Sequence, residues 1–166
     1  MSYRNKTYVI FDADHDMWAY AYMKGWKNND RIDFNFFDAH DLRPLTIRAS
    51  EETVKRSLRE RMASAKQVIV LVGEHTRHLY RFVRWEIDLA IRKDLPVIVA
   101  NLNNRRGHDP DRCPPILKDH PAIHVAFKLK IIKLALDKYV PWYNGPSRDD
   151  SGPRYYRDEV YRDLGL

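Results

Sequence analysis

Short apolar runs alternate with helix-like segments along most of this chain. The runs occupy residues 7–11, 32–37, 68–72, 96–102 and 123–127. Each has the length of a strand, and helical periods separate them. Strands that alternate with helices form a parallel sheet with helices on both faces. The sequence therefore predicts an α/β fold, a single domain with a five-stranded parallel sheet in the flavodoxin-like order 2-1-3-4-5.

The length of 166 residues suits one domain with its own core. We assign residues 1–140 to that domain. From residue 141 onward the chain is rich in Pro, Gly, Asp and Arg and has no sustained apolar period. Residues 141–166 are therefore predicted to be a tail, either a loop or a docked terminal helix around residues 155–164.

A formal charge of +6 indicates affinity for an anionic partner. The basic residues are dispersed and no helix-turn-helix or RNP motif accompanies them, so nucleic acid is not expected as the main ligand. No apolar run reaches the length of a membrane span, and the first six residues lack the apolar core of a signal peptide. The single cysteine, Cys113, excludes an internal disulfide and a cysteine-rich zinc site. We expect a cytoplasmic protein with no membrane partner.

The chain lacks the motifs of several common sites. It has no Walker A sequence, no GxGxxG and no GxSxG, which argues against a P-loop, a classical Rossmann site and an elbow-type hydrolase. The acidic turn at residues 12–16 could bind Mg²⁺, as in response-regulator receivers. A receiver also needs an Asp at the end of its third strand, where this chain has Val72 and Gly73. The histidines are scattered along the chain, and no metal site is predicted.

Glu86 is the residue that most needs an explanation. A helical pattern at residues 78–93 places it in the middle of an apolar face, whereas Asp88 points the opposite way. That apolar face consists of Leu79, Phe82, Val83 and Ala90. A carboxylate in such a position loses hydration free energy unless it is paired or lines a cleft. From spacing alone, both explanations stay open.

The first explanation is a structural ion pair. If the helix begins later than Thr76, Glu86 lies near the edge of the sheet and can pair with one of three nearby arginines, Arg81, Arg84 or Arg92. The second explanation is a functional carboxylate, because perturbed acids in clefts are frequent in active sites.

Several stretches of the chain resemble the TIR-like family that includes the NAD-consuming signal generators of the bacterial Thoeris antiphage systems. The closest is the aromatic-Val-Arg-aromatic-Glu-Ile segment at residues 82–87, whose Glu is the catalytic acid of the family and falls on Glu86. The other matching stretches are residues 9–16, 36–39, 54–58, 70–76 and 97–103. The chain departs from the family pattern at Phe11, where many members carry Ser.

The resemblance implies a set of site residues. Glu86 and Asn103 would be catalytic, since the family strand that residues 97–102 resemble also ends in a functional Asn. The residues that would bind the substrate are Phe11, Asp12, Asp38, Arg43 and Trp85. An arginine such as Arg43 suits the phosphates of a dinucleotide, because its planar guanidinium can bind phosphate through two hydrogen bonds.

The implied function is cleavage of the bond between nicotinamide and ribose in NAD⁺, followed by formation of an ADP-ribose-derived, cyclic signal molecule in antiphage defence. NAD⁺ would be the substrate, with no further cofactor. The implied partners are other copies of the chain and a downstream effector protein reached through the nucleotide product. The alternative is a non-catalytic TIR-like scaffold or protein-interaction module. Among enzymes, a hydrolase that only depletes NAD⁺ is the second candidate.

Overall fold

The computed structural model describes residues 6–31, 34, 50–79 and 81–166. Within these ranges the chain forms a five-stranded sheet in which every strand pairs parallel to its neighbour. The strands are β1 (Thr7–Ile10), β2 (Gln67–Val72), β3 (Val97–Asn101), β4 (Ile123–Ala126) and β5 (Arg154–Tyr155). The predicted α/β class and parallel five-stranded sheet are confirmed.

The register of the strands aligns apolar side chains in rows across the sheet. Val9 pairs with Ile69, Ile69 with Ile98, and Ile98 with Ile123. All four residues belong to one buried cluster. Because side chains alternate between the two faces of a strand, their neighbours in sequence form a second row that faces the other side. This alignment gives both faces of the sheet a continuous apolar surface.

The strand order along the described sheet is β1-β2-β3-β4-β5. The predicted order 2-1-3-4-5 is not confirmed. Its second strand was placed at residues 32–37, of which only Phe34 lies within the described residues. The fifth described strand comes instead from the segment that was predicted to be a loop or a terminal helix. That strand has only two residues, too few for the alternation by which a strand is recognised in a sequence.

Helices cover both faces of the sheet. One face packs against α1 (Met17–Asn28), α4 (Leu129–Leu134) and α6 (Asp158–Asp163), which contribute residues such as Met23, Ile132 and Tyr161. The other face packs against α2 (Glu51–Met62) and α3 (Val83–Arg92), which contribute Met62 and Ile87 among others. None of the described helices is long and apolar enough to cross a bilayer.

The start of α2 follows its sequence signal. The Ser50 side chain accepts a hydrogen bond from the backbone N–H of Thr53 at 3.2 Å, and Glu51 and Glu52 lie in the first turn. A side-chain oxygen at this position satisfies an N–H group that has no partner inside the helix, and the acids interact favourably with the helix dipole. The predicted helix start at Ser50 is confirmed.

The helix predicted at residues 129–140 has a more complex form. After α4 the backbone widens into a π-helical turn at Ala135–Tyr139, and α5 (Val140–Tyr143) follows. Pro141 has no N–H group, and in a regular α-helix its ring would clash with the carbonyl four residues earlier. The π-helical turn just before this proline accommodates the ring while the helix continues.

The continuous helix predicted at residues 78–93 is wrong at its N-terminal end. A 3₁₀ turn occupies Thr76–His78, Leu79 has an extended ψ angle of 78°, and α3 begins at Val83. The Thr76 hydroxyl accepts a hydrogen bond from the N–H of Gly73 at 2.8 Å, and this contact fixes a separate turn. Glu86 consequently lies in the first turn of α3 rather than in the middle of a long helix.

His124 on β4 is fully buried, and neither of its ring nitrogens has a hydrogen-bond partner among the described residues. Burial lowers its pKa to about 3, and the nearby His108 and His120 act in the same direction. The folded protein therefore keeps this imidazole neutral at a pH at which an unfolded chain would bind a proton. This difference makes the free energy of unfolding depend on pH.

We predict that His124→Leu reduces the loss of stability in mild acid. The pKa of His124 is lower in the folded state, so its contribution is complete above about pH 6.5 and decreases as the pH falls toward 3. Between pH 6.5 and 5 the wild type should lose about 2 kcal/mol more unfolding free energy than the variant. Urea denaturation at both pH values measures this difference, and equal losses in the two proteins would contradict the prediction.

Candidate functional site

A cavity of about 430 Å³ lies beyond the carboxyl end of β1, between α2 and the segment that leads into α3. Ligands of parallel α/β sheets bind at this edge. The cavity is lined by Phe11, Asp12, Ala13, Asp14, Val54, Leu58, Arg61, His78, Leu79, Arg81, Phe82, Val83 and Glu86. Seven of these thirteen side chains are apolar and six are polar or charged, and small-molecule sites likewise combine apolar walls with converging polar groups.

Glu86 is the buried acid of this cavity, with 5% of its surface exposed. The hydroxyl of Tyr8, in β1, donates a hydrogen bond to Glu86 Oε2 at 2.5 Å. Tyr8 is itself fully buried, and burial together with the negative charge of Glu86 raises its pKa. The phenol therefore keeps its proton and remains a donor at neutral pH.

Burial raises the pKa of Glu86 to about 7, and two opposing effects limit the rise. The hydrogen bond from Tyr8 lowers this pKa, and so does the positive charge of Arg61. At neutral pH the carboxyl group is consequently close to half ionised. An acid whose pKa is near the working pH can change its charge state during a reaction with little energetic cost.

The ion-pair explanation of Glu86 is not supported. Arg81 pairs with Glu51 at 3.4 Å and Arg92 pairs with Asp88 at 2.8 Å. Within the described part of the chain, no basic nitrogen lies within 4.0 Å of the Glu86 carboxylate. The hydrogen bond from a neutral tyrosine compensates only part of the cost of burial.

Tyr8 and Arg61 are contributors to the site that the sequence reasoning missed. Arg61 lines the cavity from α2, three residues after Leu58 and seven after Val54, which line it as well. This spacing places the three side chains on one helical face, so the same period that identified the apolar face could have found Arg61. No local pattern links Tyr8 to Glu86, because 78 residues separate them.

The turn after β1 is held by its own acids. Asp12 is buried, accepts a hydrogen bond from the N–H of Asp14 at 3.0 Å, and lies 2.7 Å from Nδ1 of His15. Asp16 packs against Gly73, where a Cβ atom would lie 2.2 Å from its carboxylate, so a larger residue at position 73 would force the Asp16 side chain to move. Among the described residues, no group of three or more His, Cys, Asp or Glu side chains could hold a metal ion.

Three of the seven predicted site residues line the cavity: Phe11, Asp12 and Glu86. The Phe11 ring stacks on Tyr20, with ring centroids 4.6 Å apart. Asp38 and Arg43 lie outside the described residues.

The structure places the other two predicted residues elsewhere. Trp85 does not line the cavity, because its ring packs beside the α2 side chains Lys55 and Arg59. Asn103 is exposed, donates a hydrogen bond to Asp109 at 2.9 Å, and does not line the cavity either.

The loop after β3 is fastened by several hydrogen bonds in addition to that of Asn103. The amide of Asn101 donates to the carbonyl oxygens of Arg105 and Gly107, at 2.9 and 2.8 Å. Asp109 accepts hydrogen bonds from the backbone N–H groups of Asp111 and Arg112. In this arrangement Asn103 organises a loop and does not line the cavity that contains Glu86.

Residues 8–107 match the family described as "Thoeris protein ThsB, TIR-like domain". The chain belongs to this family. The match covers more than half of the chain, includes Tyr8, Arg61 and Glu86, and confirms the resemblance drawn from the sequence. Membership of the family supports a role of this TIR-like domain in antiphage defence.

One solved structure is also similar to this TIR-like domain. It is described as "Crystal structure of conserved protein from Enterococcus faecalis V583", with 13% sequence identity over 95% of this chain and 96% of that chain. Its TM-score of 0.42 is too low to carry an argument about function.

We predict that Tyr8→Phe raises the pKa of Glu86 above 7. The hydrogen bond from Tyr8 favours the ionised carboxylate, so its removal makes ionisation harder. Carboxyl ¹³C chemical shifts followed through a pH titration measure the pKa directly. An unchanged or lower pKa in the variant would show that Tyr8 does not stabilise the carboxylate.

Proposed function

We propose that this TIR-like domain cleaves NAD⁺ with Glu86 as the catalytic carboxylate. The observation that carries the proposal is a buried carboxyl group with a raised pKa on the wall of a cavity at the carboxyl edge of the sheet. Natural proteins rarely keep such a group in a core position without a function that compensates its cost. Family membership supports the same conclusion.

The proposed chemistry breaks the bond between the ribose C1′ atom and the nicotinamide nitrogen. The electron pair of that bond stays with nicotinamide, which leaves as a neutral molecule, and the ribose carbon becomes an oxocarbenium-like cation. The Glu86 carboxylate stabilises this developing positive charge electrostatically. Only the ionised form can do so, and we therefore expect the rate to rise with pH through about 7.

The cavity offers groups for the rest of the substrate. The Arg61 guanidinium is suited to the diphosphate, and Phe11 offers an aromatic surface for a ring. We keep Asp12 and, from the family resemblance, Asp38 and Arg43 as proposed binding residues, whereas Trp85 packs on α2 outside the cavity. Asn103 would act by organising the loop that follows β3.

We further propose that the ribosyl cation is captured by a nucleophile of the same molecule, which gives a cyclic ADP-ribose-type signal. Capture by water would instead give ADP-ribose and release one proton. A site that excludes water favours the cyclic product. The signal would act on a downstream effector in the cytoplasm, and assembly of several copies of the chain would complete the site.

A second candidate is a scaffold that binds a partner without catalysis. The observation that favours it lies on α1, where Met17, Trp18 and Tyr22 expose about half or more of their surfaces. Large exposed apolar side chains that lie together on one helix are typical of interaction surfaces.

The first experiment compares NAD⁺ cleavage by the wild type, Glu86→Gln and Asp88→Asn. Both variants remove one charge from α3, but Asp88 pairs with Arg92 and does not line the cavity. We expect nicotinamide release, followed by mass spectrometry at high protein concentration, to fall by about a hundredfold or more in Glu86→Gln. Asp88→Asn should stay close to the wild type. Chromatography of the products separates ADP-ribose from a cyclic isomer.

The stability of Glu86→Gln provides the folding control and a test of its own. The pKa of Glu86 is higher in the folded state, so its contribution to stability is complete below about pH 4.5 and is lost as the pH rises through 7. We expect the variant to be about 3 kcal/mol more stable than the wild type at pH 8. Equal nicotinamide release by all three proteins would contradict a catalytic Glu86 and favour the scaffold.

A further inference from the structure

A second cavity, of about 380 Å³, lies at the β5 edge of the sheet. Its walls are formed chiefly by Lys138, Tyr139, Trp142, Arg154, Tyr155 and Tyr156. None of its lining residues lines the Glu86 cavity. All of them also follow residue 107, where the family match ends. This cavity is therefore a feature of the C-terminal part of the chain, and neither the family match nor the proposed reaction accounts for it.

The walls of this cavity are unusually aromatic. Four of the six side chains carry rings, and Tyr155 exposes 68% of its surface at the edge of the sheet. The Arg154 guanidinium lies 4.1 Å from the centroid of the Trp142 ring. Aromatic side chains that surround an open cavity provide flat surfaces on which a planar ring can stack.

Two polar groups of the cavity are donors without an acceptor among the described residues. Arg154 Nε and the Tyr156 hydroxyl are buried and have no hydrogen-bond partner among the described residues. A buried donor left in this state is unfavourable, and a bound acceptor would remove that cost. Arg154 Nη2 donates a hydrogen bond to Asp149 at 2.5 Å, whereas Nε has no acceptor among the described residues.

Lys138 adds a positive charge to the rim of the cavity. It is exposed, and within the described ranges no acidic oxygen lies close enough to form an ion pair with it. The chain as a whole also carries a net charge of +6. The cationic groups of the cavity thus favour an anionic acceptor, and its aromatic walls favour a planar ring beside that acceptor.

We infer that this cavity binds a small ligand in which a planar ring adjoins an anionic group, the chemistry of a nucleoside monophosphate. The ring stacks on the aromatic walls, and the phosphate accepts hydrogen bonds from Lys138 and Arg154. This site lies apart from the Glu86 cavity and does not depend on the proposed cleavage of NAD⁺.

Fluorine NMR of the protein labelled with 5-fluorotryptophan tests the inference at the site itself. The chain has four tryptophans, and the Trp142→Phe variant identifies the resonance of Trp142. The probe is AMP, and the comparison ligands are adenosine, which lacks the phosphate, and inorganic phosphate, which lacks the ring. We expect AMP to shift the Trp142 resonance in a saturable way and each comparison ligand to bind at least tenfold more weakly.

Matched variants decide which contacts carry the binding. Lys138→Met removes the rim charge and Tyr155→Ser removes an exposed ring, and neither change should disturb the core. The controls are Lys118→Met and Tyr22→Ser, which make the same changes at exposed positions outside this cavity. We expect affinity for AMP to fall about tenfold in each cavity variant and to stay unchanged in each control.

Three results would overturn the inference. The first is a Trp142 resonance that does not move at millimolar AMP. The second is a shift that the two cavity variants leave unchanged. The third is equal affinity for AMP and for adenosine or inorganic phosphate, which would remove the requirement for a ring joined to an anion. None of these measurements involves cleavage of NAD⁺, so a failure here is separate from a failure of the proposed function.

Discussion

Both faces of the parallel sheet are covered by helices, so a polar side chain on a strand is costly unless another residue satisfies it. Thr7 and Gln67 meet this condition across neighbouring strands, since the Gln67 amide donates to the Thr7 hydroxyl at 2.8 Å. Tyr8 meets it by donating to Glu86. His124 does not meet it among the described residues, and the strong fall of its pKa reflects that cost. The two candidate sites consequently lie at the edges of the sheet.

Glu86 occupies one of those edges at the expense of stability. Its carboxyl group is desolvated by the residues that pack between α3 and the sheet, and its hydrogen bond from Tyr8 recovers only part of the lost hydration. A chain under selection for stability alone would place an apolar residue at this position. Retention of the acid in a cavity is therefore the strongest physical argument for a function at this site.

The C-terminal segment builds the other edge. Arg148 makes two hydrogen bonds to Asp94 and lies 3.9 Å from the centroid of the Tyr143 ring, which holds the segment against the body of the domain. Tyr161 is fully buried, and its hydroxyl accepts a hydrogen bond from the N–H of Ala126. These contacts position β5 beside β4 and leave the second cavity open at its side. The two candidate sites thus lie in different parts of the sheet and share no lining residue.

Several features of the fold could be predicted from neighbouring residues in the sequence. The apolar run that became β2, the capping serine before α2 and the mismatch of Glu86 with its apolar neighbours could all be recognised, because each depends on residues within a few positions of one another. The catalytic role predicted for Asn103 came from the family resemblance, in which the matching strand also ends in a functional Asn. Local order, however, does not choose between two polar partners, and the side chain of Asn103 bonds to Asp109 instead.

Only the tertiary structure decided how the site is assembled. Tyr8 and Glu86 are brought together by the packing of α3 on β1, and no periodic pattern spans the distance between them in the chain. The contact between Thr76 and Gly73 belongs to a separate turn, and α3 begins only at Val83. The strand β5 forms because it pairs with β4. Two residues alone have too little strand propensity to form a strand. The sequence thus determined which residues are unusual, whereas long-range packing determined which of them meet.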